Sequence, residues 1–274
     1  LLDCGNQRKL ERFGTIVLNR PEISANFKPF CSKEVWDSAD WYFFEEKGKK
    51  GEWKTSGDQK NNWNIEYQKE NLKLKLLLEL TAFKHIGLFP EQTENWHFIQ
   101  QRLNAIKGEK RVLNLFAYTG TASLVSAVCG AKVTNVESVK QVMNWSRENA
   151  KINELENIRW ILEDARKYVK KAIRRKEVFE GIILDPPTFG YGSNKERWKI
   201  ESDLEPLLQD LLKLLNHEKG FFILNTYSPK MPHAKLHSIV ESLSHPRLKN
   251  KQIVELGLKS SKNQKLNLGL LFRF

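Results

Sequence analysis

Apolar positions divide this chain into two regimes. From residue 1 to about residue 88, short apolar or aromatic runs (Phe13 to Leu18, Trp41 to Glu45, Trp63 to Tyr67, Leu72 to Phe83) alternate with clusters of Gly, Asn, Asp and Lys. Strands joined by turns have this pattern, so a small, mainly-β domain is expected over residues 1–92, with Lys47 to Asn62 as a loop or hairpin tip. Strand-like sequence continues to Phe89 and ends in Gly87-Leu88-Phe89-Pro90-Glu91-Gln92. Thr93 then caps a helix running through Ile106, with Trp96, Ile99, Leu103 and Ile106 at helical spacing.

After Lys110 the pattern alternates between short apolar runs and helical spacing. Strands are expected over 111–116, 132–137, 158–162 and 179–185, and helices over 121–129, 139–152 and 164–176. A helix over 199–216, a strand over 220–227, a helix over 233–244 and strands near 250–257 and 266–274 follow. Consecutive strand–helix units predict a parallel sheet covered on both faces, so residues 93–274 read as an α/β domain.

Composition narrows the class. Hydrophobic residues make up 40% of the 274, and no run of eighteen apolar residues exists to span a bilayer, so a soluble protein with no membrane partner is expected. The residues from Leu1 onward do not have the basic-then-apolar pattern of a secretory leader, so no signal peptide is expected in this stretch. Cys4, Cys31 and Cys129 form no CxxC pair, which fits a reducing cytoplasm and gives no reason to expect a disulfide framework or a metal. Residues 1–100 carry 15 Lys and Arg against 15 Asp and Glu, whereas residues 101–274 carry 30 against 18, so the whole net charge of +12 sits on the second part. Such a surface suits a polyanion such as RNA, although a basic, merely soluble protein would have the same balance.

Two stretches carry the candidate chemistry. In Arg111-Val112-Leu113-Asn114-Leu115-Phe116-Ala117-Tyr118-Thr119-Gly120-Thr121-Ala122-Ser123 a buried strand breaks at Thr119-Gly120 directly into a helix, whose first N–H groups offer donors to an anion. In Ile182-Ile183-Leu184-Asp185-Pro186-Pro187-Thr188-Phe189 a strand ends in an acid and two prolines, placing Asp185 toward the ligand crevice of an open α/β sheet. The GxGxxG fingerprint is absent, which disfavours a dinucleotide-dependent dehydrogenase.

With Asn135-Val136-Glu137-Ser138 and Leu162-Glu163-Asp164-Ala165 in order between them, and Gly87 to Gln92 upstream, these motifs resemble the class I S-adenosylmethionine-dependent methyltransferases. Within that class they are similar to the branch that methylates bases of large-subunit ribosomal RNA, over roughly residues 70–274. The resemblance implies a seven-stranded Rossmann-like sheet, S-adenosylmethionine as cofactor, RNA as partner and a cytoplasmic enzyme of rRNA methylation. It also implies site residues. Asn114, Phe116, Ala117, Tyr118, Thr119 and Gly120 would form the cofactor turn, Glu137 would accept the ribose hydroxyls, and Asp164 with Ala165 would meet the adenine. Gln92, beside Glu91, would reach the amino-acid end of the cofactor, and capping of a helix start is the competing reading for Glu91, Gln92, Glu137 and Asp164.

Asp185, Pro186 and Pro187 are expected to position the methyl acceptor, with Asp185 also bordering the cofactor. The carboxylate and the carbonyl of Pro186 would accept hydrogen bonds from a base, and Phe189 would stack on it. The loop Gly190 to Lys195 reads as a lid or as a plain connection. One departure from the branch matters. Members that methylate C5 of cytosine use a cysteine after the strand corresponding to Phe221–Asn225, and here Thr226-Tyr227-Ser228 follows instead, so transfer to nitrogen is the better expectation. The alternative is an RNA-binding module on a methyltransferase scaffold that has lost catalysis. His233 and His237 lie four apart without a third metal ligand, and the run Arg166 to Lys176 wraps a helix as a solvated or an RNA-facing surface.

Overall fold

The computed structural model describes residues 1–45, 50–55, 57, 60–192 and 196–274 and contains two compact units. One comprises residues 1–69, 75–91 and 257–268; the other comprises residues 70–74, 92–256 and 269–274.

The first unit is built on a five-stranded sheet of β1 (Asp3–Gly5), β2 (Arg8–Phe13), β3 (Ile16–Pro21), β4 (Trp41–Glu45) and β5 (Gly51–Thr55), in that order, with a short helix α1 (Lys33–Asp37) before β4. The apolar run Phe13 to Leu18 is not one strand. Phe13 pairs with Ile16, and Gly14 turns the chain between them with φ +65°, so β2 and β3 form a tight hairpin. Nor is Lys47 to Asn62 simply a loop. Gly51–Thr55 pairs antiparallel with β4, and Trp53 packs edge-on against Phe43 at 5.0 Å while its indole donates to the Thr81 carbonyl (2.8 Å). A single tryptophan among Lys and Gly gives no alternation by which to predict that strand; residues 47–49, 56, 58 and 59 of the segment lie outside the described residues. Strands β6 (Asn62–Lys69) and β7 (Leu72–Glu79) form a two-stranded ribbon, and strand geometry stops at Glu79 rather than continuing toward Phe89.

The second unit carries the predicted Rossmann-like sheet of seven strands. It opens with α2 (Thr93–Ala105) and continues β8 (Arg111–Leu115), α3 (Thr121–Val128), β9 (Lys132–Glu137), α4 (Lys140–Ile152), β10 (Ile158–Leu162), α5 (Ala165–Arg174) and β11 (Gly181–Leu184). A small hairpin of β12 (Phe189–Tyr191) and β13 (Arg197–Lys199) precedes α6 (Ile200–Leu212), β14 (Phe221–Thr226), α7 (His233–Ser242), β15 (Gln252–Lys259) and β16 (Lys265–Arg273). Sheet order is β10-β9-β8-β11-β14-β16-β15. Strands from β10 to β14 run parallel, and β16 is antiparallel to β14. The loop between β15 and β16 has five residues, too few for the crossover that parallel neighbours need.

Burial on both faces explains the continuous apolar runs. Leu113, Leu115, Ile182, Leu184, Phe222 and Leu224 join one core with α5, α6 and α7. The residues that alternate with them, Val112, Ile183 and Ile223, are equally buried and point to the other face, as the two-residue period of a strand requires. No helix among the described residues is long and apolar enough to cross a membrane.

Candidate functional site

The parallel strands bring their carboxyl ends to one edge of the sheet, and the turns after β8, β9, β10 and β11 hold most of the sequence-predicted site residues. After β8 the chain takes left-handed conformations at Phe116 (φ 52°), Tyr118 (φ 52°) and Gly120 (φ 82°). Such alternation turns backbone N–H groups inward as an anion-accepting concavity, and at Phe116 and Tyr118 it strains residues that carry a Cβ. Side chains from elsewhere hold the strain. Glu137 accepts from the Tyr118 N–H (3.0 Å), Ser146 donates to the Tyr118 carbonyl (2.6 Å) and Asn149 to the Thr119 carbonyl (3.1 Å).

Gly120 serves packing as much as conformation, because a Cβ there would lie 3.1 Å from the Ser146 Cβ and 3.3 Å from its Oγ. Asn114 is buried and its amide donates to Ser123 (2.9 Å), which in turn donates to Asn135 (2.7 Å), so this polar chain ties β8, α3 and β9 together beneath the turn. Ala117 is buried, Thr119 almost wholly so, and the half-buried Phe116 ring packs 4.9 Å from Trp198. The N-cap residue of α3 is Gly120, which has no side chain to offer the first N–H groups of that helix.

Glu137 ends β9 next to this turn, and its other oxygen accepts from the Ser138 and Val139 N–H groups at 2.8 and 2.9 Å. Burial raises its pKa, and the backbone donors only partly oppose that. Asp164 caps α5 through the Arg166 and Lys167 N–H groups (3.0 and 3.2 Å) and holds the Arg166 guanidinium at 3.2 Å, while Ala165 is buried behind it. The helix-capping reading of Asp164 is thus realised.

At the end of β11, Asp185 meets a residue from the start of α2. Gln92 donates from its Nε2 to Asp185 Oδ2 (2.7 Å) and to the hydroxyl of Tyr227, which follows β14 (3.0 Å). Pro186 is buried and Pro187 exposed. The Trp198 indole donates to the Pro187 carbonyl (2.6 Å), and the Ile200 N–H donates to the Thr188 carbonyl (3.1 Å), so β13 and α6 fix the segment after Asp185. Phe189 is 45% and Tyr191 62% exposed, and their rings stand edge-to-face at 5.1 Å. Arg197 lies over Phe189 at 5.6 Å. Residues expected to form a loop are therefore an exposed aromatic and basic hairpin; Ser193, Asn194 and Lys195 of the expected lid lie outside the described residues.

Ion pairing changes the reading of α5. Arg166 pairs with Asp164 and Asp203, Lys167 with Glu196, Lys171 with Glu163 and Arg175 with Glu177, which leaves Lys170, Arg174 and Lys176 as exposed cations of that run with no ion pair among the described residues. His237 faces Glu241 at 3.6 Å and stacks on His233. Ser146, Asn149 and Tyr227 are site residues that the motifs did not reveal. Ser146 and Asn149 sit three apart beside Met143 on the apolar face of α4, where buried polar residues were the available signal.

An open, doubly wound sheet with a strained anion-accepting turn and a buried acid on the next strand defines a Rossmann-like enzyme that binds a nucleoside cofactor. Residues 45–225 match the S-adenosylmethionine-dependent methyltransferase family, and the chain belongs to that family. An S-adenosylmethionine-dependent methyltransferase from Agrobacterium tumefaciens superposes with a TM-score of 0.91 at 31% identity, over 100% of this chain and 89% of that one. Ribosomal RNA large subunit methyltransferase K/L of Shewanella frigidimarina is 35% identical over 157 residues, 56% of this chain and 21% of that protein. The protein of the same name from Pseudoalteromonas translucida is 32% identical over 188 residues, 64% of this chain and 25% of that protein. The chain thus spans about a fifth to a quarter of the length of these curated relatives.

Proposed function

We propose that this chain methylates a base of large-subunit ribosomal RNA, at a nitrogen, in the cytoplasm. When bound, S-adenosylmethionine supplies an electrophilic methyl group on its sulfonium. The donor set around the β8 turn fits that cofactor: N–H groups at the start of α3 suit its carboxylate, and the Glu137 carboxylate suits its ribose hydroxyls. Phe116, Ala117, Tyr118, Thr119 and Gly120 would shape this cradle with Asn114 beneath it. Asp164 and Ala165 would border the adenine. Gln92, with its amide donor turned to Asp185 and Tyr227, would act by orienting the Asp185 carboxylate.

The observation that carries the acceptor site is the Gln92–Asp185–Tyr227 group at the carboxyl ends of β11 and β14, next to the exposed Phe189. Phe189 would stack on a base while Asp185 and the Pro186 carbonyl accept its hydrogen bonds or balance a growing positive charge. Two features favour nitrogen. Transfer to a ring nitrogen needs a lone pair and positioning rather than a covalent base adduct, and β14 runs into Tyr227-Ser228-Pro229 without a cysteine. Cys129 ends α3, which leads back toward the amino ends of the strands, and burial raises its thiol pKa.

Replacing Asp185 by alanine tests the assignment. Calorimetry with S-adenosylhomocysteine is expected to give nearly wild-type affinity. Methyl transfer to ribosomal RNA at saturating cofactor should fall roughly tenfold to a hundredfold, the worth of one positioning hydrogen bond, and further if the base turns cationic. Wild-type turnover in Asp185→Ala would place the acceptor elsewhere, and mass spectrometry of the product nucleoside would reject the nitrogen reading if it found a C5 methyl.

A further inference from the structure

A second cluster of charged side chains lies at the other end of β14. Arg102, on the last turn of α2, donates to the Gly220 carbonyl (3.3 Å), and Arg247, in the short turn Pro246–Asn250, donates to the same carbonyl (3.2 Å) and to that of Glu218 (3.3 Å). Arg273, closing β16, lies over the Phe98 ring at 4.8 Å, and Arg102 over the same ring at 5.8 Å. Phe98 is itself set edge-on against Phe221 at 6.1 Å.

Among the described residues none of these three guanidiniums forms an ion pair; their hydrogen-bond partners are carbonyls and the Gln252 amide oxygen (3.4 Å). Glu94 reaches Arg273 only as a more distant charge. Burial lowers the pKa of Arg102, and the Arg247 charge lowers it further, so the two charges are held together at a cost. One arginine beside a helix C-terminus and an open carbonyl is ordinary structural chemistry. Three of them, half-buried, two on one oxygen and two on one ring, concentrate more positive charge than those carbonyls need. Arginine forks fixed by an aromatic face are suited to phosphate oxygens, which they take two at a time.

We propose that Arg102, Arg247 and Arg273 form a docking site for backbone phosphates of the RNA substrate, remote from the acceptor site; this rests on the RNA reading above. Helix α2 joins the two places. Gln92 at its start touches Asp185, and Arg102 lies ten residues along, about 15 Å at 1.5 Å per residue. Asn95, Phe98 and Arg102 meet Asn225, Phe221 and Gly220 in turn, so the helix lies along β14 from its carboxyl to its amino end. A ligand that engages both ends must be a polymer. The net charge of +12, all of it on residues 101–274, gives this surface the sign that a polyanion needs.

The test measures binding of a fluorescein-labelled single-stranded oligoribonucleotide to the full chain over a salt series. Substituting all three arginines by glutamine is expected to weaken binding roughly tenfold to a hundredfold and to flatten the salt dependence by about two ions. A control with Lys170, Arg174 and Lys176 changed to glutamine removes the same charge from α5 and the turn after it and should lose less. S-adenosylhomocysteine binding should be unchanged in both. Because loss of the carbonyl contacts could unfold the triple variant, arginine-selective modification of the wild-type protein provides a second reading, with RNA protecting Arg102, Arg247 and Arg273. Equal RNA affinity in wild type and triple variant, a loss no larger than that of the control, or no protection of these arginines while RNA is bound would overturn this site alone. A wild-type chain that binds no RNA would overturn the RNA reading together with it.

Discussion

Replacing Glu11 by alanine is expected to destabilise the amino-terminal unit by about 3–5 kcal/mol, the usual cost of stranding one partner of a buried ion pair. Glu11 and Arg20 face each other across β2 and β3 at 2.6 Å, and both side chains are almost wholly buried, at 1% and 4% exposure. Burial alone would raise the Glu11 pKa. The charges of Arg20 and, behind it, Lys9 overcome that and hold it at about 2. Without the carboxylate, the Arg20 guanidinium would keep the Lys84 carbonyl (2.9 Å) but lose the charge that offsets its desolvation.

The double variant Glu11→Leu/Arg20→Met should recover most of the loss, since neither partner of the pair is left charged and alone, and Lys9 keeps its ion pair with Glu22 (3.5 Å). The pH dependence has a definite sign. The folded-state pKa lies below the ordinary 4.5, so the contribution is complete above about pH 4.5 and disappears as pH falls toward 2. Native-state hydrogen exchange of the β2 and β3 amides reads the effect where it arises. A change below about 1 kcal/mol in Glu11→Ala would mean that water or the nearby Glu91 or Glu22 carboxylate replaces the lost partner of Arg20, and the pair would not hold this unit together.

How far the sequence predicts such features depends on where their partners lie. Strands β8, β11 and β14 are legible because a strand buried on both faces is apolar at every position, whatever surrounds it. Asp185 is legible for a related reason, since two prolines can only follow the end of such a strand. The bend inside Phe13 to Leu18 was hidden because apolar residues on both sides of a tight hairpin read as one run. Phe189–Tyr191 and Arg197–Lys199 were hidden because an exposed two-stranded hairpin has no buried face to impose alternation.

The turn after β8 is the most instructive case. One glycine in Phe116-Ala117-Tyr118-Thr119-Gly120 gives little sign of three left-handed residues. What holds Tyr118 lies 19 residues away at Glu137 and 28 away at Ser146, on the next strand and the next helix. The same separation concealed the partners of Gln92, which are 93 and 135 residues further on. Sequence spacing placed these residues at strand and helix ends, and only the packed sheet determines which of them meet.

The second large effect is expected at Glu137, through both the turn and the proposed ribose contact. Its carboxylate accepts three backbone N–H bonds, one of which holds Tyr118 in a conformation that costs about 1–3 kcal/mol in a residue with a Cβ. Glu137→Ala removes that restraint and the acceptor for the ribose together, so S-adenosylhomocysteine affinity should fall roughly 30-fold or more by calorimetry, the equivalent of about 2 kcal/mol or more. Ser146 and Asn149 still hold the carbonyls of Tyr118 and Thr119, and β9 stays buried, so the unit should remain folded in a thermal melt. Acid should act in the same direction on the wild type. Burial sets the Glu137 pKa above its ordinary value, so protonation begins at higher pH than for an exposed glutamate, and cofactor affinity should decline as pH falls through that range. Glu137→Gln, which has no proton to gain there, should bind weakly without that pH dependence. If Glu137→Ala binds S-adenosylhomocysteine within threefold of wild type, the turn would need no support from β9 and the ribose contact would have to come from another residue.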